Sequence, residues 1–268
     1  RVLPQHHPPL CLHNNLKNIR GSCIKSLVGK LRTIDLVHTL DGKTVLLRID
    51  CDVDIEGSKI IDDTRLAASL PTIELLLKKG AEVNIVGHLG RPSASNSEFR
   101  IQNSEFSLQP VAEWFSKKFD GKIEEIKIGK LSGWKITDRI NLVENVRFFP
   151  EEEKNDEKFA RELALLGDIY VNDAFAVSHR EHASIVGVTK FLPSYAGLHL
   201  EKEIKALSQI LQSPKRPLAI LIGGAKIETK LPLVEKMHHV ADYVLVGGEI
   251  AEQTRVLIKL QHEKIVGR

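Results

Sequence analysis

From Asp41 onward, short apolar runs alternate with longer segments of helical periodicity, and this alternation restricts the possible folds more than any other feature. The pattern is typical of a parallel β-sheet flanked by helices, because parallel strands need crossover connections that a helix can supply. We therefore predict an α/β fold of two three-layer αβα domains with Rossmann-like parallel sheets, the second of them incomplete. The predicted strands are residues 44–49, 82–86, 142–146, 168–171, 218–222 and 243–246.

Helical periodicity between these runs predicts helices at 64–79, 156–166 and 198–212. The first has Asp62 or Asp63 as its N-cap and Gly80 at its end, and Gly167 follows the second. The third separates two groups of strands, so we predict that it joins two domains. Only two strands follow it, where a doubly wound sheet usually has about five or six, so we expect the second domain to continue beyond Arg268. The predicted domains are an extension at 1–30, a first domain at 31–197, an interdomain helix at 198–213 and part of a second domain at 214–268.

Composition excludes several classes of protein. The chain has 268 residues with 38 basic and 35 acidic side chains, a net charge of +3, so we expect no nucleic-acid partner, because such proteins usually concentrate basic residues in a patch or tail. The apolar runs are much shorter than the about 20 residues that cross a bilayer, so we expect no membrane association. The three cysteines show no CxxC spacing, which favours a reducing compartment over a disulfide framework or zinc site.

The N-terminal segment 1–34 has no acidic residue and several Arg and Lys residues, a bias shared with organelle transit peptides. Its prolines and histidines, among them Pro4, Pro8 and His6, disrupt an amphipathic helix and favour a disordered extension. We predict a cytoplasmic location and keep organelle targeting as the alternative. Because the single methionine is Met237, we expect the chain to be processed, trimmed or a fragment.

Polar residues and glycines follow almost every predicted strand. They are Asp50 and Asp52, the run His88-Leu89-Gly90-Arg91-Pro92, Arg147, the segment from Asp173 to Arg180, and the run Gly223-Gly224-Ala225-Lys226. In open α/β sheets ligands bind at the carboxyl ends of the strands, so these segments are expected to converge on one cleft. Guanidinium groups bind carboxylate and phosphate with two parallel hydrogen bonds. The cluster therefore predicts a site for a compact, multiply charged anion, formed by Arg65, His88, Arg91, Arg147, His179 and Arg180.

Each of these residues also has a structural interpretation when it is taken alone. His88 could be a packed, hydrogen-bonded histidine, and Asp173 could cap a turn. Arg180 and His182 could belong to an exposed loop, and the acidic run 151–153 is interpreted as a solvated face. Their common position at strand ends favours the binding interpretation.

The segment Gly223–Lys230 follows a predicted strand and leads into a helix, where glycine would allow close approach of the backbone to a phosphate. It matches neither the P-loop pattern nor G-x-G-x-x-G. The segment is therefore only a weak general indication of nucleotide binding, and a tight turn explains Gly247 and Gly248 equally well.

Several short sequences become specific when they are taken in order: Leu47-Arg48-Ile49-Asp50, Asp63-Thr64-Arg65, His88-Leu89-Gly90-Arg91-Pro92, Glu144-Asn145-Val146-Arg147-Phe148, Asp173-Ala174-Phe175, His179-Arg180, Gly223-Gly224-Ala225-Lys226 and Gly247-Gly248. Their collinear order over residues 31–267 resembles the phosphoglycerate kinase family. The resemblance implies reversible phosphoryl transfer between 1,3-bisphosphoglycerate and ADP, giving 3-phosphoglycerate and ATP in glycolysis. It also implies Mg²⁺ with ADP or ATP, a monomer, and a metal-binding acid outside this chain.

The resemblance also implies roles for individual residues. Arg65 and Lys226 would be catalytic, because phosphoryl transfer depends on positioned cations. Nucleotide would be bound by Gly223, Gly224, Lys230, Gly247 and Gly248. The glycerate substrate would be bound by Asp50, Asp52, Arg65, His88, Leu89, Gly90, Arg91, Arg147 and Arg180.

The chain departs from the family pattern at four positions. Asp52 replaces an asparagine, Ala176 a glycine, Glu181 a small residue, and Glu249 the third glycine of a run. These departures favour, as an alternative, a non-catalytic phosphometabolite-binding pseudoenzyme or an inactive fragment. A nicotinamide-dependent dehydrogenase is a further alternative, against which the missing dinucleotide fingerprint argues.

Overall fold

The computed structural model describes residues 31–92 and 104–223 and, in the C-terminal part, residues 230, 232–234, 237, 240–247 and 251. The predicted extension at 1–30 lies outside these residues. The chain divides into two compact units, Arg1–Lys205 and Ala206–Arg268. Within the part of the chain that the structure describes, no helix is both long enough and apolar enough to span a membrane.

The strands described in the first unit are β1 (Thr44–Arg48), β2 (Ile55–Glu56), β3 (Lys59–Ile60), β4 (Glu82–Val86), β5 (Glu124–Ile128), β6 (Leu131–Thr137), β7 (Ile140–Val143), β8 (Ile169–Asn172) and β9 (Ser194–Ala196).

Seven of these strands form one sheet with the order β5-β6-β7-β4-β1-β8-β9. Strand β1 is central and pairs in parallel with β4 and β8, while β7 and β9 extend the parallel part on either side. Strands β5, β6 and β7 pair antiparallel at one edge, and β2 and β3 form a separate antiparallel hairpin.

The α-helices are α1 (Thr64–Lys78), α2 (Gln109–Lys118), α3 (Pro150–Glu153), α4 (Glu157–Ala164) and α5 (Leu198–Gln212). Short 3-10 helices lie at Ile34–Leu36, Ser104–Phe106, Val146–Phe148, Phe175–Val177 and Gly187–Lys190.

The end of α1 shows how the sequence determines a boundary. Gly80 has a φ of +94°, a conformation that a residue with a Cβ rarely adopts. Its N–H donates to Leu77 O at 3.1 Å, and the Ala81 N–H donates to Leu76 O at 3.1 Å. These bonds form the Schellman motif, so the predicted stop at Gly80 is confirmed.

Alternate residues of the central strands pack into two cores. Val45 and Leu47 of β1 pack in the core that contains residues of α1 and α2, including Ile73 and Phe115. Leu46 packs in the other core, with apolar residues of α4. Because successive side chains of a strand point to opposite faces, the sheet has a helical layer on each side, and the predicted three-layer αβα architecture is confirmed.

One sequence-based prediction about the sheet was wrong, and one feature of the sheet was missed. The strand predicted at 142–146 is β7 (Ile140–Val143), and Val146 begins a 3-10 helix in which the Asn145 side chain accepts from Arg147 N. The antiparallel edge formed by β5 and β6 was not predicted, because the sequence of β5, Glu-Glu-Ile-Lys-Ile, lacks the apolar run of a buried strand.

The second unit contains a two-stranded parallel sheet of β10 (Ala219–Ile222) and β11 (Tyr243–Val246). Ile222 packs with Val234 in a small core. The alternate residues Leu221 and Leu245 are 77% and 54% exposed.

Candidate anion-binding site

The predicted site residues of the first unit lie after the parallel strands. In the register of the sheet, Arg48 of β1 is paired with Val86 of β4 on one side and with Asn172 of β8 on the other. The segments that follow these strands therefore begin at the same edge of the sheet. As predicted, the structure brings the loops containing Asp50, His88 and Asp173 together there.

Asp50 and Asp52 follow β1 and hold Arg65, which lies at the start of α1. Arg65 Nη1 donates to Asp50 Oδ2 at 3.3 Å and lies 3.9 Å from Asp52 Oδ2. Asp50 Oδ1 also accepts from the backbone N–H of Asp52 at 3.1 Å. The Arg65 side chain is 52% exposed, whereas that of Asp50 is 10% exposed. The guanidinium group of Arg65 is thus held through Nη1, while about half of the side chain remains open to solvent.

Gly90 connects the loops that follow β1, β4 and β7. Its N–H donates to Asp52 Oδ1 at 2.8 Å, and its carbonyl oxygen accepts from Arg147 Nη1 at 2.6 Å. Gly90 has a φ of +60°, and a Cβ at this position would lie 2.4 Å from the Phe106 ring. Glycine is therefore required here both for backbone conformation and for space. Leu89, its neighbour, is buried.

His88 is buried and uncharged. Arg48 Nη2 lies 2.9 Å from His88 Nδ1, and a guanidinium group can only donate. Nδ1 is therefore the acceptor, and the proton of the neutral ring is on Nε2, 3.9 Å from Asp52 Oδ2. Burial, followed by the positive charges of Arg48 and Arg147, lowers the pKa of His88 far below its usual value. At neutral pH the ring is thus a neutral Nε2–H donor facing Asp52.

Arg147, which is buried, and Arg180, which is partly buried, form a further positive part of the site. The Arg147 side chain is 4% exposed, and its Nε lies 3.5 Å from Glu153 Oε1. Burial, and then the charge of Arg180, lowers the pKa of Arg147. The Nε atoms of Arg147 and Arg180 are both buried and make no hydrogen bond within the described residues. The Nε of Arg147 is therefore partnered only by the ion pair with Glu153, and the Nε of Arg180 has no hydrogen-bond partner among the described residues.

Other predicted site residues lie at the solvent-exposed margin of the site. Arg91 and His179 are exposed, and so are Ala176 and Glu181, two of the departures from the family pattern. His182, interpreted as a member of an exposed loop, is instead buried, 7% exposed. Its burial, followed by the charge of Arg147, lowers its pKa to about 4.

Asp173 does more than cap a turn. Its Oδ1 accepts from the backbone N–H groups of His199 and Leu200, at 2.9 and 3.0 Å, in the first turn of α5. Gly197 passes so close that a Cβ there would lie 2.2 Å from this oxygen. Burial raises the pKa of Asp173. The carboxyl group thus ties the end of β8 to the start of α5.

Three residues of the site were missed by sequence reasoning. Glu152 is fully buried, so the interpretation of 151–153 as a solvated face was wrong for this residue. Arg48 and Ser184 are each 1% exposed. Arg48 could have been found, because a charged residue within the apolar run of a buried strand needs a partner. Ser184 has no such signal in the sequence.

The predicted nucleotide-binding residues belong to the second unit. Gly223 and Gly247 follow β10 and β11, and the Gly247 N–H donates to Ile222 O at 3.0 Å. Lys230 is partly buried. Gly224, Lys226 and Gly248, like the departure Glu249, lie outside the described residues. Among the residues that are described, no group of three or more His, Cys, Asp or Glu side chains could hold a metal ion.

The site in the first unit combines arginines and a neutral histidine at the carboxyl ends of parallel strands. These features define an α/β protein with a positively charged candidate site at that edge of its sheet. Comparison with known proteins is more specific. The sequence profile described as Phosphoglycerate kinase matches residues 34–265. The chain belongs to the phosphoglycerate kinase family.

Individual proteins similar to this chain are also phosphoglycerate kinases. The chain is 44% identical over 213 residues to a phosphoglycerate kinase of Wolbachia pipientis subsp. Culex pipiens, a match covering 78% of this chain and 53% of that protein. It is 39% identical over 229 residues to one from Borrelia garinii subsp. bavariensis, covering 82% and 56%. A solved phosphoglycerate kinase structure from Coxiella burnetii is similar with a TM-score of 0.71 and 38% identity, covering 83% of this chain and 56% of that one. The chain thus spans about half the length of these relatives.

Proposed function

We propose that this chain carries the phosphoglycerate-binding part of a phosphoglycerate kinase. Such an enzyme transfers a phosphoryl group reversibly between 1,3-bisphosphoglycerate and ADP, giving 3-phosphoglycerate and ATP in glycolysis. The observation that carries the proposal is the positive charge of Arg147 and Arg180. Within the described residues the buried Nε of Arg180 makes no hydrogen bond, and the buried Nε of Arg147 has the Glu153 carboxylate only at 3.5 Å. A buried donor without a partner is costly. An anion with several charged oxygens would satisfy the Arg180 donor and offset the positive charge of both arginines.

In this proposal each predicted residue has a defined role. Arg65, whose Nη1 is held by Asp50 and whose side chain is half exposed, would meet the transferring phosphoryl group, and Lys226 would meet it from the second domain. The protein contributes little covalent chemistry to phosphoryl transfer, so aligned cations and excluded water account for the rate. Nucleotide would be bound by Gly223, Gly224, Lys230, Gly247 and Gly248. The glycerate would be bound by Asp50, Asp52, Arg65, His88, Leu89, Gly90, Arg91, Arg147 and Arg180.

The remaining parts of the proposal come from the family. Mg²⁺ would arrive with ADP or ATP as part of the nucleotide substrate. We further propose a monomer that acts in the cytoplasm on small-molecule substrates, with neither nucleic acid nor membrane as a partner. The two domains would be residues 31–197 and 214–268, joined by the helix 198–213.

The proposal is tested by calorimetric titration of the chain with 3-phosphoglycerate, glycerate and inorganic phosphate. We expect 3-phosphoglycerate to bind more tightly than either fragment, and Arg180→Ala to weaken binding about tenfold or more, as for a lost hydrogen bond to a charged group. Arg161→Ala is the matched control, because Arg161 is exposed and pairs with Glu157 at 3.2 Å. Arg161→Ala should bind like the wild type.

Two results would lead to other conclusions. If 3-phosphoglycerate did not bind, or if Arg180→Ala and Arg161→Ala had equal effects, the assignment of the site would be wrong. If 3-phosphoglycerate bound but a coupled assay with 1,3-bisphosphoglycerate and ADP gave no ATP, the chain would be a phosphometabolite-binding pseudoenzyme or an inactive fragment.

A further inference from the structure

A chain of buried hydrogen bonds leads from Glu152 to His88. The Ser184 hydroxyl donates to Glu152 Oε1 at 2.5 Å, and the Ser184 backbone N–H donates to Glu152 Oε2 at 2.9 Å. Because the hydroxyl has a single proton, which it gives to Glu152, its oxygen is left as an acceptor. That oxygen accepts from Arg48 Nε at 3.0 Å. In each of these hydrogen bonds the donor and the acceptor are therefore determined.

Arg48 is fixed in three directions by this arrangement. Its Nε is bound to Ser184, its Nη1 donates to the carbonyl oxygen of Ile49, and its Nη2 donates to His88 Nδ1. The planar guanidinium group cannot turn about one of these bonds without breaking the others. The orientation of Arg48 therefore determines which ring nitrogen of His88 carries the proton.

The carboxylate of Glu152 supplies the negative charge for the buried guanidinium group. Burial raises the pKa of Glu152, and the charge of Arg48 and the hydrogen bonds from Ser184 offset only part of this rise. Glu152 is held at 0% exposure by these contacts. It also lies 3.7 Å from His182 Nδ1, so its charge lies between Ser184 and a second buried histidine.

We propose that Glu152 and Ser184 are positioning residues that act through Arg48 to hold His88 as the neutral tautomer with its proton on Nε2. Neither residue needs to touch the substrate. Their function is to present an N–H donor, instead of a lone pair or a second positive charge, toward Asp52 and the cleft. The inference rests on the proposed function only for the identity of the ligand that this N–H meets.

The tautomer is measured by ¹⁵N NMR of the whole chain with labelled histidine. His88 is identified as the ring whose signals disappear in His88→Gln. In the wild type we expect Nδ1 at the chemical shift of an unprotonated nitrogen and Nε2 at that of a protonated one. The opposite assignment would overturn the proposal without any further variant.

Ser184→Ala tests the link between Glu152 and Arg48. Without the hydroxyl, the freed Nε of Arg48 and the freed oxygen of Glu152 attract each other, and their approach draws Nη2 away from His88 Nδ1. We expect the His88 signals to move toward a mixture of tautomers and 3-phosphoglycerate affinity to fall about tenfold. The control is Ser69→Ala, which removes another buried serine hydroxyl, bonded to Leu66 O at 2.7 Å within α1. Its His88 signals should match the wild type.

Glu152→Gln gives an independent test with almost unchanged side-chain volume. One acceptor oxygen becomes a donating NH₂ group, which faces either the N–H of Ser184 or its hydroxyl. The first arrangement opposes two donors, and the second deprives the Ser184 hydroxyl proton of the carboxylate oxygen that accepts it. In both cases the His88 signals should shift as in Ser184→Ala.

The outcomes are distinguishable. Unchanged His88 signals in the folded variants would overturn the proposal, and if Ser184→Ala fails to fold, Glu152→Gln decides. If the wild type did not bind 3-phosphoglycerate but the His88 signals shifted as expected, the proposed function would fail and the positioning role would remain.

Discussion

The carboxyl group of Asp52 accepts a 2.8 Å hydrogen bond from the backbone N–H of Gly90. The two residues belong to loops that follow neighbouring strands, so this bond fixes one loop against the other. The second oxygen of Asp52 lies 3.9 Å from Arg65 Nη1. The acid that replaces the asparagine implied by the family resemblance therefore acts as a structural acceptor, and it also brings a negative charge into an anion site.

Asp52→Asn is expected to tighten binding of 3-phosphoglycerate. The amide oxygen can still accept from Gly90, while the repulsion of the ligand is removed. Two like charges about 5 Å apart at an effective dielectric near 20 repel by roughly 3 kcal/mol. The Asp52 side chain is 41% exposed, so solvent and salt reduce this value, and a remainder of about 1.4 kcal/mol is a tenfold change in affinity.

Calorimetric titration of this variant at two ionic strengths measures both the gain and its salt dependence. We expect the larger gain at low salt. Asp54→Asn is the control, because Asp54 is exposed two residues further along. Unchanged or weaker binding by Asp52→Asn would mean that the carboxylate serves mainly to hold Arg65.

Arg147→Ala is expected to weaken ligand binding more than Arg65→Ala. The Arg147 side chain is 4% exposed and that of Arg65 is 52% exposed, so water screens Arg65 more strongly. We expect a loss of about tenfold or more in affinity for Arg147→Ala and about threefold or less for Arg65→Ala. Where turnover is measured, Arg65→Ala should mainly lower kcat and Arg147→Ala mainly raise KM. Equal small effects would remove the distinction between the two roles.

Acid should destabilise the protein partly through His182. Its pKa of about 4 lies below the ordinary 6.5, so below about pH 6.5 the unfolded chain binds more protons than the folded one. The stability that the neutral ring contributes is therefore present above about pH 6.5 and is lost as the pH falls toward 4.

Urea unfolding at several pH values between about 7 and 4.5 tests this sign. The free energy of unfolding of His182→Gln should fall less over this range than that of the wild type. The raised pKa of Glu152 acts in the opposite direction, but it is present in both proteins. Parallel curves would show that His182 does not contribute.

Gly90→Ala is expected to reduce 3-phosphoglycerate binding and stability together. The new Cβ would lie 2.4 Å from the Phe106 ring at a φ of +60°. The loop must move, and the hydrogen bonds to Asp52 and Arg147 are disturbed. We expect a loss of about 1–3 kcal/mol in stability.

Gly42→Ala separates backbone strain from collision. Gly42 has a φ of +65°, but a Cβ there would have no atom within 4 Å. Its cost should be limited to backbone strain of about 1 kcal/mol, with ligand affinity unchanged. If Gly90→Ala and Gly42→Ala had equal effects on stability and affinity, the contact with Phe106 would not contribute to the effect of Gly90→Ala.

Asp173→Ala should destabilise the protein more than removal of an ordinary helix cap, which costs about 1 kcal/mol. Asp173 accepts two backbone hydrogen bonds from α5, whereas Asp156 accepts one, from Phe159 at the start of α4. Asp173→Asn keeps an acceptor oxygen and should cost less than Asp173→Ala. Chemical denaturation of Asp173→Ala, Asp173→Asn and Asp156→Ala tests this order, and an equal loss in the two alanine variants would contradict it.

The sequence was sufficient for features that depend on local periodicity or on the ends of elements. Strand β4 and helix α5 have the predicted bounds, and α4, which Asp156 caps by accepting from Phe159 N, lies within the predicted helix 156–166. The cluster at the strand ends was also predictable, because parallel strands place their carboxyl ends at one edge.

Features that depend on distant partners were not predictable. Glu152 stands in an acidic run typical of a solvated helix, and its burial depends on Ser184, 32 residues further along the chain. Arg48 and Ser184 are separated by 136 positions. No periodicity connects such residues, so the buried network beneath His88 is visible only in the structure.

The position of β1 between β4 and β8 also has a consequence for the order of folding. Val45 is in register with Ile169, and the Thr44 N–H donates to Asp168 Oδ2 across a sequence separation of 124 residues. Pairing over such distances forms slowly, because loop closure comes before the favourable contacts. The site residues before β8 are made first during synthesis, but the site is complete only when Arg180 has left the ribosome and β8 has paired with β1. Ligand binding by this chain would therefore report that the last central strand is in place.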